Sequence, residues 1–305
     1  MDNEISQFDL FGKQIEKDVL LRDKFIEPPF SVLDTKSGNW QNRKRIWKRL
    51  GIRSEVGRDA TSYNTKEWVD KLRDKGDLKG NKLPSNTSIF DPALCEVIYH
   101  WFCPKNGKIL DPFSGGSVRG IIANYLGYKY TGIELRPEQI ESNIEQAEEI
   151  LPDNNRPKWY MGDSEKILDD ITEEFDFIFS CPPYMNLEVY SDLPDDLSNM
   201  TDDKFIEKYG SIIKKACSKL KKGGIACFVV GDLRDKKTGY YKDFVTITKL
   251  LFYKAKMKLY NEAILLNSLA SAMLRANGNM KSKKLVKVHQ NVLVFIKPQK
   301  VGDKY

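Results

Sequence analysis

The chain has 305 residues, of which 41% are hydrophobic, and a formal net charge of +6. This length and composition suit one substantial α/β core with a smaller appended segment. Apolar runs such as residues 225–230 are far shorter than the roughly 20 residues needed to cross a bilayer. The start of the chain also lacks the basic-then-apolar pattern of a signal peptide. We therefore expect a soluble, cytoplasmic protein without a membrane partner.

The cysteines and histidines argue against a metal centre. The five cysteines are widely spaced and form no CxxC pair, and the only histidines are His100 and His289. This pattern fits reduced thiols better than a disulfide framework or a zinc site. The sequence therefore predicts no bound metal.

Composition divides the chain into three regions. Residues 1–30 are polar and of mixed charge, which indicates an N-terminal tail. Residues 31–86 are basic and contain tryptophan; within them, residues 40–51 are typical of a short helix closed by glycine. A polar, Gly- and Lys-rich stretch at residues 74–86 then indicates a linker. The main domain is predicted at residues 87–300.

Strand and helix patterns alternate along this domain, which favours a mostly parallel sheet covered by helices. The clearest helix, residues 202–220, is amphipathic and is expected to stop at the Lys-Lys-Gly-Gly of residues 221–224. The predicted strands cover residues 108–110, 128–133, 158–161, 175–179, 225–230, 259–265 and 291–296.

A glycine turn separates the first of these strands from the next helix. Gly115 and Gly116 lie just before a helix that begins near Val118. Such a turn lets backbone amides approach a ligand closely at the carboxyl edge of a sheet. The turn lacks the Gly-Lys-Ser/Thr ending of a phosphate loop. On its own it fits either a ligand site or a tight connection.

Acidic residues end the next two strands. Glu134 stands where doubly wound folds place a carboxylate that accepts hydrogen bonds from ribose hydroxyls. Asp163 ends the following strand, where it could receive an adenine amine or cap the next helix. Because the carboxyl ends of parallel strands share one edge, these acids and the glycine turn are expected to line one site.

The fourth strand runs into the corner Cys181-Pro182-Pro183-Tyr184. The prolines lack amide hydrogens and have a fixed φ, so the carbonyls before them are held in a rigid geometry. An aromatic ring follows immediately. This arrangement suits the gripping of a planar, amine-bearing group.

The corner and the ordered strand ends together resemble the S-adenosylmethionine-dependent DNA amino-methyltransferases, whose signature is Asp/Asn/Ser-Pro-Pro-Tyr, over roughly residues 88–297. The resemblance implies a Rossmann-like α/β methyltransferase fold with a mostly parallel seven-stranded sheet. It also implies S-adenosylmethionine as cofactor, DNA as partner, and methyl transfer to the exocyclic amine of a flipped adenine or cytosine.

The resemblance further implies a role for each matching residue. Asp111, Phe113 and Gly115 would lie beside the methionine part of the cofactor, with Glu134 on the ribose and Asp163 near the adenine. Cofactor contacts are thus expected from Asp91, Asp111, Phe113, Gly115, Gly116, Glu134 and Asp163. Binding and activation of the target amine are expected from Cys181, Pro182, Pro183 and Tyr184.

Two positions depart from the family pattern. Ser117 stands in place of the last glycine of the turn, and Cys181 replaces the usual Asp, Asn or Ser. Cys181 could act like serine in a cytosine-type site, act as a thiolate nucleophile, or mark lost activity. The serine-like role is the preferred interpretation.

Two basic runs favour a polyanionic partner. The predicted nucleic-acid contacts are Arg43, Lys44, Arg45, Lys48, Arg49, Arg275, Lys283 and Lys284. Trp40 and Trp47 interleave the first run and could stack on bases, or could pack the helix against the catalytic domain. The alternative functions are an RNA or protein-glutamine methyltransferase and a non-catalytic DNA-binding module.

Overall fold

In a computed structural model of the protein, the structure describes residues 21–53, 90–185, 195–235, 237–267 and 270–299. The described helices are α1 (Leu21–Phe25), α2 (Gly38–Arg49), α3 (Pro92–Phe102), α4 (Val118–Tyr125), α5 (Pro137–Ile150), α6 (Ser164–Asp170), α7 (Asp202–Ser218), α8 (Phe244–Lys254) and α9 (Ala270–Lys281). The strands are β1 (Val32–Asp34), β2 (Lys108–Asp111), β3 (Lys129–Glu134), β4 (Lys158–Met161), β5 (Phe175–Ser180), β6 (Leu220–Val230), β7 (Lys258–Leu266) and β8 (His289–Ile296). Within these ranges, no helix is long and apolar enough to span a bilayer.

The strands form a single sheet in the order β1-β7-β8-β6-β5-β2-β3-β4. β8 is antiparallel to both of its neighbours, and the other pairings are parallel. The chain runs outward from β2 through β3 to β4 and then returns to β5 on the other side of β2. Doubly wound sheets bind ligands outside the carboxyl ends of the strands at such a reversal. The topology confirms the predicted Rossmann-like α/β fold with a mostly parallel sheet.

The sheet has eight strands because the N-terminal region contributes an edge strand. β1 pairs in parallel with β7, and the Thr35 hydroxyl donates to the Leu266 carbonyl at 2.5 Å. Leu33, Trp40 and Trp47 are buried in the same apolar cluster as the central strands. Residues 32–52 therefore share a core with the main domain. The linker predicted at residues 74–86 and residues 1–20 of the predicted tail lie outside the described residues.

The central strands are covered on both faces. Phe177 and Phe179 of β5 pack against Tyr99 of α3, whereas Ile178 between them faces the cluster that contains Phe228. This alternation explains why the sequence of β5 is almost continuously apolar. It also leaves the carboxyl ends of the strands as the place where polar side chains gather.

One predicted boundary is wrong. Helix α7 ends at Ser218, and β6 begins at Leu220, so the Lys-Lys-Gly-Gly segment lies within a strand instead of ending a helix. Leu220 is fully buried, and the Lys221 ammonium donates to Asp176 at 2.6 Å. Gly223 takes a positive φ of 74°, which allows an irregular strand. The buried anchor and the cross-strand ion pair favour pairing over a helix stop.

Candidate active site

A cavity of about 650 Å³ opens at the carboxyl ends of β2 to β6, within the usual range for small-molecule sites. Its wall includes the cofactor-binding and catalytic residues predicted from the sequence, with the exception of Asp111: Asp91, Phe113, Gly115, Gly116, Glu134, Asp163, Cys181, Pro182, Pro183 and Tyr184. The fold thus brings together residues that lie far apart in the chain.

Asp111, the last residue of β2, lies behind this wall and is completely buried. One carboxylate oxygen accepts hydrogen bonds from Arg119 Nε at 2.6 Å and the Tyr130 hydroxyl at 2.7 Å. The other accepts from the Ser180 hydroxyl at 2.5 Å and the Phe113 amide at 3.1 Å. Burial and the neighbouring carboxylate raise the pKa of Tyr130 well above its ordinary value, so its hydroxyl stays a donor. Asp111 therefore supports the cavity wall without lining it.

Arg119 of α4 links this buried carboxylate to the cavity. Its guanidinium donates to the carbonyls of Phe113 at 2.6 Å and Ser114 at 2.8 Å, and lies 4.5 Å from the Phe90 ring centre. Burial alone would lower the pKa of Arg119, but Asp111 more than offsets this effect and raises it. The arginine therefore remains charged and fixes the backbone that leads into the glycine turn. Sequence reasoning did not single it out.

The glycine turn is shaped for close backbone approach. Gly115 has a positive φ of 52°, and its carbonyl accepts from the Asn143 side chain at 2.8 Å. A β-carbon added to Gly116 would meet no described atom within 4 Å, so the turn faces open space here. The Ser114 hydroxyl is buried without a hydrogen-bond partner among the described residues. Ser117 has a helical φ of −66°, so no glycine is required there.

Glu134 and Asp163 both line the cavity, where they lie at the ends of the neighbouring strands β3 and β4. Glu134 accepts from the Arg136 amide at 3.1 Å, and its carboxylate lies 3.5 Å from Arg136 Nε. Asp163 caps α6 by accepting from the Glu165 amide at 3.0 Å. Its second oxygen lies 2.9 Å from the ammonium of Lys208, a cavity residue of α7 that the sequence did not indicate. Asp163 therefore caps a helix and lines the cavity at once.

The proline corner places a thiol beside a phenol. Cys181 Sγ lies 3.8 Å from the Tyr184 hydroxyl, which also receives a hydrogen bond from Gln290 Nε2 at 2.5 Å. The Tyr184 ring packs edge-on against Phe244, with ring centres 6.0 Å apart. Gln290 comes from β8, which runs antiparallel, so the start of that strand lies at the same sheet edge. The aromatic ring is therefore oriented by contacts from two elements, α8 and β8.

The cysteines differ in their surroundings. Cys181 is partly exposed, whereas the other four are buried. Burial raises the pKa of Cys103 and of Cys217 to about 12, and burial also raises the pKa of Cys95. A thiol reagent near pH 8 should therefore meet Cys181 first, since reactivity follows exposure and thiolate content.

Helix α2 faces inward more than its basic sequence suggests. Trp40 and Trp47 are buried in the core of the main domain, as expected if they pack the helix against that domain. Arg43 forms an ion pair with Glu96, and the Lys44 ammonium lies 3.0 Å from Asp91. The basic residues of α2 that remain exposed are Arg45, Lys48 and Arg49.

The second basic run lies beside a turn that follows β6. Arg275 and Lys283 are exposed, and the Lys284 ammonium packs so closely on Gly239 that a β-carbon there would lie 2.1 Å from it. Gly239 belongs to a turn that presents Tyr240, whose side chain is among the most exposed of the large apolar ones described, at 77%. A backbone hydrogen bond from Asp235 N to Tyr240 O, 2.9 Å long, orders this turn.

Arg234 contacts the same turn at two of its residues, Gly239 and Tyr241. Its guanidinium donates to the Gly239 carbonyl at 3.0 Å and lies 3.9 Å from the ring centre of Tyr241. Just before it, Asp232 accepts from the Val245 amide at 3.3 Å and thereby contacts the start of α8. These contacts connect the turn to Arg234 and the preceding segment to α8.

No family model and no curated protein sequence matches the chain. Among solved structures, TrmN from Thermus thermophilus is 14% identical, covering 68% of this chain and 49% of its own, with a TM-score of 0.45. This chain therefore spans about half of TrmN. A methyltransferase from Pyrococcus furiosus is 15% identical; the match covers 77% of this chain and 100% of that protein, with a TM-score of 0.45. Magnesium protoporphyrin IX methyltransferase from Synechocystis PCC 6803 with bound SAH is 10% identical; the match covers 77% of this chain and 95% of that protein, with a TM-score of 0.46.

Proposed function

We propose that this protein is an S-adenosylmethionine-dependent methyltransferase that modifies the exocyclic amine of adenine or cytosine in DNA. The observation that carries the proposal is the single cavity in which the glycine turn, Glu134 and Asp163 meet the Cys-Pro-Pro-Tyr corner. One side of this cavity has the groups that a nucleoside needs, and the other has a rigid corner suited to an amine.

The cavity wall fits the proposed cofactor. Glu134 would accept from the ribose hydroxyls, Asp163 would lie toward the adenine, and the open space over Gly116 would admit a ligand close to the backbone. In the same wall, the buried Ser114 hydroxyl has no hydrogen-bond partner within the described part of the chain. When bound, S-adenosylmethionine supplies an electrophilic methyl group on its sulfonium.

The corner would prepare the acceptor. The lone pair of a nucleobase amine is delocalised into its ring, which makes the amine a poor nucleophile. The Pro182 carbonyl and Cys181 would accept its hydrogens and favour the form with a localised lone pair. Tyr184 would stack on the base, an interaction worth about 1–3 kcal/mol, and would offset part of the cost of extruding that base from a duplex.

The serine-like interpretation of Cys181 has a direct test. Cys181→Ser should keep transfer within about tenfold of the wild type, because a hydroxyl also accepts a hydrogen bond and is of similar size. Cys181→Ala removes the acceptor and serves as the matched control. A nucleophilic cysteine would instead make Cys181→Ser as inactive as Cys181→Ala.

A nucleic-acid substrate is supported by exposed basic side chains in two segments of the chain. Arg45, Lys48 and Arg49 lie on α2, and Arg275 and Lys283 lie near the end of the chain. Cations in such clusters neutralise phosphates and release counterions. Tyr240, next to Lys284, adds an exposed aromatic ring of the kind on which bases stack.

The proposal is tested by incubating the protein with methyl-labelled S-adenosylmethionine and mixed-sequence duplex DNA, followed by digestion to nucleosides. Label on N6 of adenine or N4 of cytosine is the expected result, and label only on a cytosine ring carbon would overturn the mechanism. Parallel arms with RNA and with glutamine-containing peptides would identify the alternative substrates. Tight DNA binding without cofactor binding in calorimetry would favour a non-catalytic module.

A further inference from the structure

A pair of opposite charges lies on the cavity wall between helices α2 and α3. The Lys44 ammonium is 3.0 Å from an Asp91 carboxylate oxygen, and both residues line the cavity. Their side chains are 26% and 13% exposed, so the pair is largely shielded from solvent without being closed off. Lys44, for which the sequence predicts a nucleic-acid contact, thus lines the cavity.

Both partners have hydrogen-bonding capacity to spare. Asp91 caps α3 by accepting from the Ala93 amide at 3.0 Å, and it accepts from the Trp40 indole at 3.2 Å. A carboxylate has about four acceptor positions and an ammonium has three donor hydrogens. Within the described residues, Asp91 accepts three hydrogen bonds and Lys44 donates one. The pair can therefore bind a further anion through Lys44 and a further donor through Asp91.

The pair lies toward the β5 side of the cavity. Phe90, which precedes Asp91, packs its ring 5.6 Å from that of Phe179 in β5 and under Arg119 of α4. Glu134 and Asp163, by contrast, follow β3 and β4, on the far side of β2. Neighbouring strands are about 4.8 Å apart, so three strand spacings separate β5 from β4, about 14 Å. An extended ligand with its nucleoside over β3 and β4 would reach this pair with its other end.

We propose that Lys44 and Asp91 form a clamp for a zwitterionic α-amino-acid group, in which Lys44 binds the carboxylate and Asp91 accepts from the ammonium. The proposal rests on the proposed function, since the amino-acid group is the methionine end of the cofactor. An unpaired charge in a shielded site is energetically costly. Because the ion pair offers one partner to each charge of the ligand, no charge is left uncompensated. The N-terminal helix thereby becomes part of the cofactor site.

The clamp can be tested with two ligands that differ at this end only. S-adenosylhomocysteine carries the amino-acid group, whereas 5′-methylthioadenosine lacks it. In calorimetry on the full chain, Lys44→Met should weaken binding of S-adenosylhomocysteine at least tenfold and leave that of 5′-methylthioadenosine within twofold. Lys105→Met, at an exposed position in the turn before β2, is the matched control and should change neither affinity.

Each other result has a definite meaning. Equal loss of both ligands in Lys44→Met would make Lys44 merely structural, and no loss of either would remove it from the site; both results overturn the clamp. Partial recovery of S-adenosylhomocysteine binding in Lys44→Arg would support a charge contact. A wild-type protein that binds neither ligand overturns the proposed function itself, and the clamp with it.

Discussion

The two sides of the cavity are built differently. On the proposed cofactor side, formed by the glycine turn, Glu134 and Asp163, the polar groups form networks. Asp111 behind this wall accepts four hydrogen bonds, and Asp163 both caps a helix and pairs with Lys208. On the proposed acceptor side, formed by the proline corner, the Cys181 thiol lies 3.8 Å from the Tyr184 hydroxyl, which also receives a hydrogen bond from the Gln290 amide. The buried charges thus lie behind the cofactor wall, whereas the corner orients neutral groups.

This difference has a physical consequence. Buried charges are stabilising only while their partners are present, so changes behind the cofactor wall should appear mainly as lost stability. Changes to the neutral groups at the corner leave no buried charge behind and should appear mainly in the rate of transfer. Variants on the two sides should therefore separate folding from chemistry.

The largest expected effect is that of Asp111→Ala. Removing this carboxylate leaves the Arg119 guanidinium buried without its counterion, which should lower the free energy of unfolding by about 3–5 kcal/mol. Urea denaturation of the purified variant measures this change. Asp169→Ala is the control, because Asp169 pairs with Lys215 at the surface and should matter by less than about 1 kcal/mol. Similar losses in the two variants would contradict the structural role of the Asp111 network.

Tyr184→Ala should have the opposite signature. It removes the stacking surface of the corner, so transfer to DNA should fall by about 100-fold or more, while affinity for S-adenosylhomocysteine stays within twofold. Single-turnover transfer and calorimetry measure the two quantities separately. If rate and cofactor affinity fell together, the corner would be mainly structural, and the contrast between the two sides would disappear.

Much of the site and of the fold could be predicted from the sequence. Because parallel strands end at one edge, the residues that follow the strands were expected to meet, and Glu134, Asp163 and Tyr184 do line one cavity. The fold followed from the alternation of strand and helix patterns. The strand β1 was not predicted, since three residues carry no clear period, and its pairing with β7 depends on a contact more than 200 residues away.

The residues that support the site from behind were not predicted, because most of their contacts join distant parts of the chain. Gln290 reaches Tyr184 across 106 positions, and Lys208 meets Asp163 only because α7 packs beside α6. Arg119 did leave a signal, since an arginine in the apolar start of a helix, eight positions after a strand-end aspartate, needs a buried partner. The position of Lys44 on the cavity wall could not be predicted, because a basic helix does not reveal which of its faces is turned inward.

A smaller effect is expected at Tyr240, in the exposed turn that follows β6. Tyr240→Ala should weaken binding of duplex DNA about tenfold, since stacking on one ring is worth about 1–3 kcal/mol and each 1.4 kcal/mol is a factor of ten. Tyr253→Ala is the control, because Tyr253 is also exposed but lies near the end of α8, which leads away from the cavity edge. Fluorescence anisotropy at fixed salt measures both affinities. Equal changes would remove Tyr240 from the DNA-binding surface.

The smallest effect is expected of Gln290→Ala, which tests whether Gln290 acts only by orienting Tyr184. Losing one hydrogen bond to the Tyr184 hydroxyl is worth about 0.5–1.5 kcal/mol, so the rate of transfer should fall about two- to tenfold with unfolding stability little changed. Tyr184→Phe removes the same bond from its other end. If Gln290 acts through the tyrosine, Gln290→Ala should have almost no further effect in the Tyr184→Phe background, because the interaction is already absent. Additive losses in the double variant would mean that Gln290 touches the substrate itself.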